Sequence, residues 1–295
     1  MRLDDIQESS NVEDRRGQGG LAGGFPGGRG GLGFGTIAVL TLVGWALGIN
    51  PAILIGGAEM ISGGSQAIQQ RSGPAAASPQ EEQLRVFVAR VLKTNEDVWE
   101  QVLPQQRGVP FRAAPLVIFR GSTRSACGGA QSAMGPFYCP ADTRIYLDMS
   151  FFEEMRTKMR AGGDFAYAYV IAHEMGHHIE NLLGILPKVQ QLQQRVSRRE
   201  ANQLSVRVEL MADCLAGVWA HHAQQRWRIL EQGDIEEALT AAAAIGDDKL
   251  QKAAQGYVVP DSFTHGTSEQ RTRWLTQGLR SGDMRTCDTF NTRAI

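Results

Sequence analysis

Ile171-Ala172-His173-Glu174-Met175-Gly176-His177-His178-Ile179 is the stretch on which the fold turns. It lies in a segment, Asp164 to Leu183, whose apolar spacing predicts a helix with Asp164 as N-cap and Gly184 as its stop. Residues four apart on a helix share one face, so His173 and His177 can reach one ion. Glu174, one position along, stands beside that ion, where it can take a proton from water activated by the metal. The alternative is a solvated helix with incidental histidines. Val170, Ile171, Ala172 and Ile179 argue against it, because imidazole among apolar neighbours needs a partner. His178 points about 100° off the ligand face and is not expected to bind metal.

A catalytic zinc site takes three protein ligands and leaves one position for water. The third ligand is sought in Val208-Glu209-Leu210-Met211-Ala212-Asp213-Cys214-Leu215, where two acids one turn apart interrupt an apolar helix. Such a pair alone reads as solvated surface. With the histidines upstream, Glu209 is expected as the third ligand and Asp213 as acceptor of a ligand imidazole's second N–H. His221 and His222 are rival ligands about three turns further on, and read better as a polar helix end. No third histidine follows His177 at the short metzincin interval, so the expected set is His-His-Glu.

Working outward, Gln80 to Val102 has amphipathic-helix spacing, and Pro115–Phe119 and Arg144–Asp148 read as short strands. Phe151 to Arg160, Val189 to Gln224 and Thr267 to Leu279 read as further helices. A few strands followed by many helices is an α+β pattern, mostly helical with a small sheet. Met134–Tyr138 precedes the second strand; it is either an edge strand able to pair with an extended peptide or a disulfide-tied loop. His265, in the loop Ser262–Ser268, can hydrogen-bond an oxyanion or cap local structure. Whether Arg271 and Arg273 pair with nearby acids is left open by the sequence.

The N-terminal quarter has a different composition. Eleven of the nineteen residues from Gly17 to Gly35 are glycine, which cannot offset its backbone entropy by burial, so residues 1–35 are expected to be a disordered leader. No Gly-Lys-Ser/Thr ending follows to make it a phosphate loop. Gly30 to Ala58 holds no charge, and Thr36 to Ile55 has the twenty residues a membrane span needs, although Pro51 disfavours a straight helix. Residues 56–79 read as a linker and 80–295 as the folded domain. Arg15, Arg16 and Arg29 precede the apolar stretch and only Arg71 follows at comparable distance. The charge bias therefore predicts a single-pass inner-membrane protein with a cytoplasmic N-terminus and the domain on the periplasmic or extracytoplasmic side.

Four cysteines allow three connectivities. Cys127 and Cys139 bracket a loop that suits a local bridge, and Cys214 with Cys287 is the preferred remainder; free buried thiols are the alternative. The absence of C-x-x-C argues against a second zinc. Thirty basic against 31 acidic residues excludes nucleic-acid binding through bulk charge.

The segments IAHEMGHHIE, ELMADCLAGVWA and DSFTHGTSEQR, with CGGAQSAMGPFYCPADTRIYLDMSFF upstream, resemble the bacterial neutral zinc metallopeptidase family from about residue 80 to 290. The resemblance implies a zincin-like domain with one Zn²⁺ on His173, His177 and Glu209, and Glu174 as general base. It is also similar to membrane-associated gluzincins with an E-x-x-x-D helix, though this chain lacks their several spans. The expected activity is hydrolysis of peptide or unfolded protein; a membrane-anchored, non-catalytic zinc-binding or assembly protein is the alternative.

Overall fold

The computed structural model describes residues 1–17, 77–131, 134–292 and 295. The expected leader from Gln18 to Gly35, the span at Thr36–Ile55 and the linker up to Ala76 lie outside the described residues. Among the described residues, no helix is long and apolar enough to cross a membrane.

Helix α1 (Pro79–Arg107) begins where Ser78 and Glu81 each bond the other's backbone N–H, a reciprocal cap, with Pro79 pre-set for the first turn. It ends at Gly108, whose left-handed conformation suits glycine. Strand β1 (Val12–Asp14) precedes it, and β2 (Leu116–Phe119) follows. A hairpin, β3 (Ser122–Ser125) and β4 (Gly128–Gln131), then leads to β5 (Phe137–Cys139) and β6 (Arg144–Asp148). The main sheet has the order β1-β2-β6-β5; β1, β2 and β6 run parallel, and β5 is antiparallel to β6 at one edge. The edge strand expected at Met134–Tyr138 therefore exists, but pairing starts only at Phe137, after Pro136, which cannot donate to a ladder.

The helices that follow are α2 (Ser150–Thr157), α3 (Asp164–Leu182), α4 (Ile185–Gln193), α5 (Arg198–Trp227), α6 (Asp234–Ala244), α7 (Asp247–Gln255) and α8 (Ser268–Ser281). The α+β reading holds. One main core joins α1, α3 and α5 to the sheet, with Trp99, Leu116, Tyr169 and Trp219 buried in it.

Several boundaries differ from expectation. The N-cap of α3 is Gly163, at φ 140°, and Asp164 instead occupies the first turn, where its charge complements the helix dipole. The pattern read as one helix from Val189 to Gln224 is two helices, because Ser197 and Glu200 form a capping box that starts α5 afresh. Helices α6 and α7 were not expected. The first is alanine-rich and the second polar, so neither shows a strong apolar stripe.

The largest correction concerns residues 1–17, expected to be part of a disordered leader. Val12, Glu13 and Asp14 pair with Leu116, Val117 and Ile118, Leu3 is buried in the core, and the Met1 amine lies 3.1 Å from Glu231 and 3.4 Å from Asp234. The glycine tract begins only after this folded piece, so a boundary at Gln80 leaves out an integral strand.

Both expected disulfides are formed, Cys127–Cys139 and Cys214–Cys287. The first ties the β3–β4 turn to edge strand β5. The second ties α5 to the C-terminal tail, closing a loop with sequence separation 73, for which chain entropy contributes about 4 kcal/mol.

Helices α5 and α8 cross at Gly217 and Gly278. A Cβ on Gly278 would lie 1.8 Å from the Cys214 carbonyl oxygen, and one on Gly217 would lie 2.2 Å from that of Leu275. The obstruction is backbone, so a side chain must part the helices. Gly278→Ala is expected to cost about 3 kcal/mol, at the upper end for overpacking, read as a lower urea midpoint. An unchanged midpoint would show that the crossing is loose.

Candidate metal centre and cleft

Helix α3 is buried on nearly all sides, and its approach to α5 depends on another glycine. A Cβ on Gly176 would stand 2.9 Å from the Ala212 carbonyl oxygen. This close packing sets His173 and His177, flanking Gly176 on α3, against Glu209 and Asp213, flanking Ala212 on α5. His173 Nε2 lies 3.2 Å from Glu209 Oε2, and His177 Nε2 lies 3.5 Å from Glu209 Oε1. Ligands at about 2.0–2.1 Å from a tetrahedral zinc stand roughly 3.3 Å apart, close to both of these histidine–glutamate spacings. Among the described residues, these three form the group of His, Cys, Asp and Glu able to hold a metal.

Both imidazoles are oriented through their other nitrogen. His173 Nδ1 donates to Asp213 Oδ1 at 2.9 Å, and His177 Nδ1 donates to Glu180 Oε2 at 2.9 Å. These bonds direct each Nε2 towards Glu209, the arrangement in which a carboxylate behind the ring strengthens it as a ligand. Asp213 is thus placed against the second nitrogen of one of the two histidines. Glu180 was not anticipated, although its i,i+3 spacing from His177 is visible in the sequence and its burial is not.

Asp213 is also the centre of a buried network. Arg271 donates to it through Nε and Nη2, both at 2.9 Å, and the Tyr169 hydroxyl donates at 2.5 Å. Arg271 Nη2 further reaches the Tyr169 oxygen at 3.2 Å and stands 3.9 Å from Glu209. The pairing left open for Arg271 is thus with Asp213. Burial pushes the Asp213 carboxyl up, but the Arg271 and His173 charges overcome this and hold it below the usual carboxylate range.

Glu174 is 7% exposed, and burial raises its pKa against the opposing influence of His177 and His173. The Tyr138 backbone, on edge strand β5, also opposes the rise. Together with Phe137, Tyr138, Phe151, Val170, Ile245 and Leu250, the site residues line an open cleft of about 530 Å³.

His265 lines the same cleft. Its Nδ1 lies 3.2 Å from Asp247 Oδ1, while Asp247 Oδ2 accepts the backbone N–H groups of Thr264, His265 and Gly266. Burial would lower its pKa, but Glu209 and Asp247 raise it. Asp247 went unrecognised because it opens the unexpected helix α7.

The other histidines are structural. His178 donates from Nε2 to the Arg112 carbonyl at 2.6 Å and accepts the Tyr138 hydroxyl at 3.0 Å, fastening β5 to α3. His221 and His222 bond the carbonyls of Leu279 and Gly282 at the end of α8, as expected for a polar helix end.

Burial alone would keep both imidazoles neutral. Asp213 and Glu209 nevertheless raise His173 to about 9, and Glu209 and Glu180 hold His177 well above 6.5. Metal coordination needs neutral rings, so zinc loading at pH 7 should expel a proton from each, and affinity should rise with pH. For His173 the linked effect on the fold is stabilisation that is complete below about 6.5 and lost as pH rises through about 9. Zinc titration in weak buffer with a pH electrode tests this; loading without acid release would contradict it.

The site is a candidate His-His-Glu metal centre with an adjacent glutamate in an open cleft, and sequence comparison agrees in class. The family described as "Putative neutral zinc metallopeptidase" matches residues 1–290, and the chain belongs to it. The chain is 49% identical to Uncharacterized protein YpfJ of Escherichia coli strain K12, over 98% of this chain and 99% of that protein. It is 40% identical to Uncharacterized protein Rv2575 of Mycobacterium tuberculosis strain H37Rv, over 70% of this chain and 72% of that one. No solved structure matches it.

Proposed function

We propose that the chain is a zinc-dependent endopeptidase with a zincin-like active site, acting on peptides or unfolded protein. The observation that carries this reading is the convergence of His173, His177 and Glu209 beside the Glu174 carboxylate, in a cleft bordered by an edge strand. Zinc, when bound there, acts as a Lewis acid and lowers the pKa of water towards ~7.

The residues divide the remaining work. Glu174 accepts a proton from the attacking water and later delivers it to the leaving amine; its raised pKa makes it a better base than an exposed carboxylate. Strand β5 is the last in its sheet, so its outward backbone groups can pair with an extended peptide. Such pairing reads backbone more than side chains and implies broad sequence tolerance.

His265, steadied by Asp247, donates a hydrogen bond to the oxygen that becomes negative as the carbonyl is attacked. His265→Ala is therefore expected to lower kcat about 10²–10³-fold with zinc content unchanged. Unaltered kcat would assign the residue to loop structure alone.

The decisive experiment is digestion of denatured casein by the purified full chain, before and after removal of zinc by phenanthroline and after its return. Cleavage that disappears and recovers with the metal is the expected result. A fully loaded protein that cuts no unfolded substrate would overturn the reading.

A further inference from the structure

Residues 1–17 leave and the chain returns at one place. Arg16 Nη1 donates to the Glu81 carbonyl oxygen at 3.2 Å, and Nη2 lies 3.2 Å from Glu82. Both acids sit in the first turn of α1, so the last side chains before residue 18 touch the first turn after residue 76. The attachment extends far beyond this neck. Leu116 N donates to the Asn11 carbonyl at 2.9 Å, Arg15 N to that of Ile118 at 2.8 Å, Ser9 N to that of Ala89 at 3.1 Å, and Arg2 N to that of Ile229 at 2.8 Å. Asn11 Nδ2 also donates to Glu96 at 2.6 Å.

We propose that the N-terminal segment Met1–Gly17 and the candidate metal centre occupy the same side of any membrane the chain meets. An odd number of crossings between residues 18 and 76 is then excluded. A single crossing would place about 30 Å of hydrocarbon between β1 and its partner β2. It would leave the β2 edge, from Leu116 to Ile118, without its hydrogen-bonding neighbour, and strand Leu3 outside its core site.

The charge bias that favoured a cytoplasmic N-terminus weakens on the same evidence. Two of its three arginines are used within the folded unit. Arg15 pairs with Glu13 at 2.8 Å and donates to the Arg124 carbonyl at 3.1 Å, while Arg16 pairs with Asp14 and Glu82. Residues bound in this way are not a free positive flank of a span. The shared side follows from the pairing of β1 with β2 and does not depend on the chemistry of the cleft.

The test uses the full chain in membranes of intact cells. Its four natural cysteines are in disulfides, so single thiols are introduced at exposed positions, Gln7→Cys or Gln255→Cys, and treated with a membrane-impermeant maleimide before and after permeabilisation. Both positions should label together, either both at once or both only after permeabilisation. Labelling from opposite sides would overturn the proposal. As a second measurement, a short bismaleimide should join the Glu8→Cys/Arg85→Cys pair, which replaces an ion pair of 2.9 Å. Failure to cross-link in the native membrane, where each single variant labels, would also count against it.

Discussion

Glu174→Gln is expected to leave a full equivalent of zinc bound and to reduce peptide hydrolysis by about 10²–10⁴-fold, the contribution of a positioned general base. The substitution keeps the shape of the side chain and removes only its capacity to take a proton. His173, His177 and Glu209 are untouched, and both orienting bonds, to Asp213 and Glu180, remain. Burial already disfavours the charged carboxylate, so the neutral amide is expected to cost the fold little. The measurement is metal content alongside kcat on a denatured protein. Wild-type turnover in a zinc-loaded Gln variant would exclude Glu174 as the base. Loss of metal would show instead that the carboxylate supports the site structurally.

Asp213→Asn should have the largest effect on stability, with a secondary effect on metal affinity. Asp213 is wholly buried and is the charge partner of Arg271, itself only 2% exposed. Neutralising one member of a buried pair leaves the other without compensation and costs about 3–5 kcal/mol. For a folded unit of this size that corresponds to a fall in Tm of roughly 6–20 °C. Asp213 Oδ1 accepts His173 Nδ1–H, so zinc affinity should fall about 10–100-fold as the ring exchanges a charged acceptor for a neutral amide. Calorimetry of the apo protein and zinc competition titration separate the two effects. If both were unchanged, the network around Asp213 would be dispensable.

The two variants report on different layers of one construction. Glu174 faces the cleft, whereas Asp213 lies behind the imidazole it orients. Arg271 belongs to α8, so the metal centre is braced by a helix that supplies it with no ligand. The Gly217–Gly278 crossing brings that helix close enough to do so.

Much of the metal centre was legible because its spacing is local. Two histidines four positions apart share one helical face, and the acids of α5 stand out in an apolar run. These patterns need no knowledge of the remaining fold. Glu180 escaped because its spacing from His177 does not reveal its burial, and Asp247 because nothing in its immediate sequence marks it as the partner of an imidazole. Likewise, β1 is three residues long, shorter than any periodicity can reveal, and it becomes a strand only against β2, a hundred positions away.

By itself the sequence determined the helical histidine face, its glutamate, the acidic pair on a second helix, and the preferred disulfide pairing, all through short-range spacing and residue chemistry. Only the tertiary structure decided that the first seventeen residues are part of the domain, that Asp213 holds Arg271 as well as His173, and that Asp247 steadies His265. Those contacts join residues distant in the chain. Their energies come from burial and desolvation, which exist only once the helices and sheet have packed.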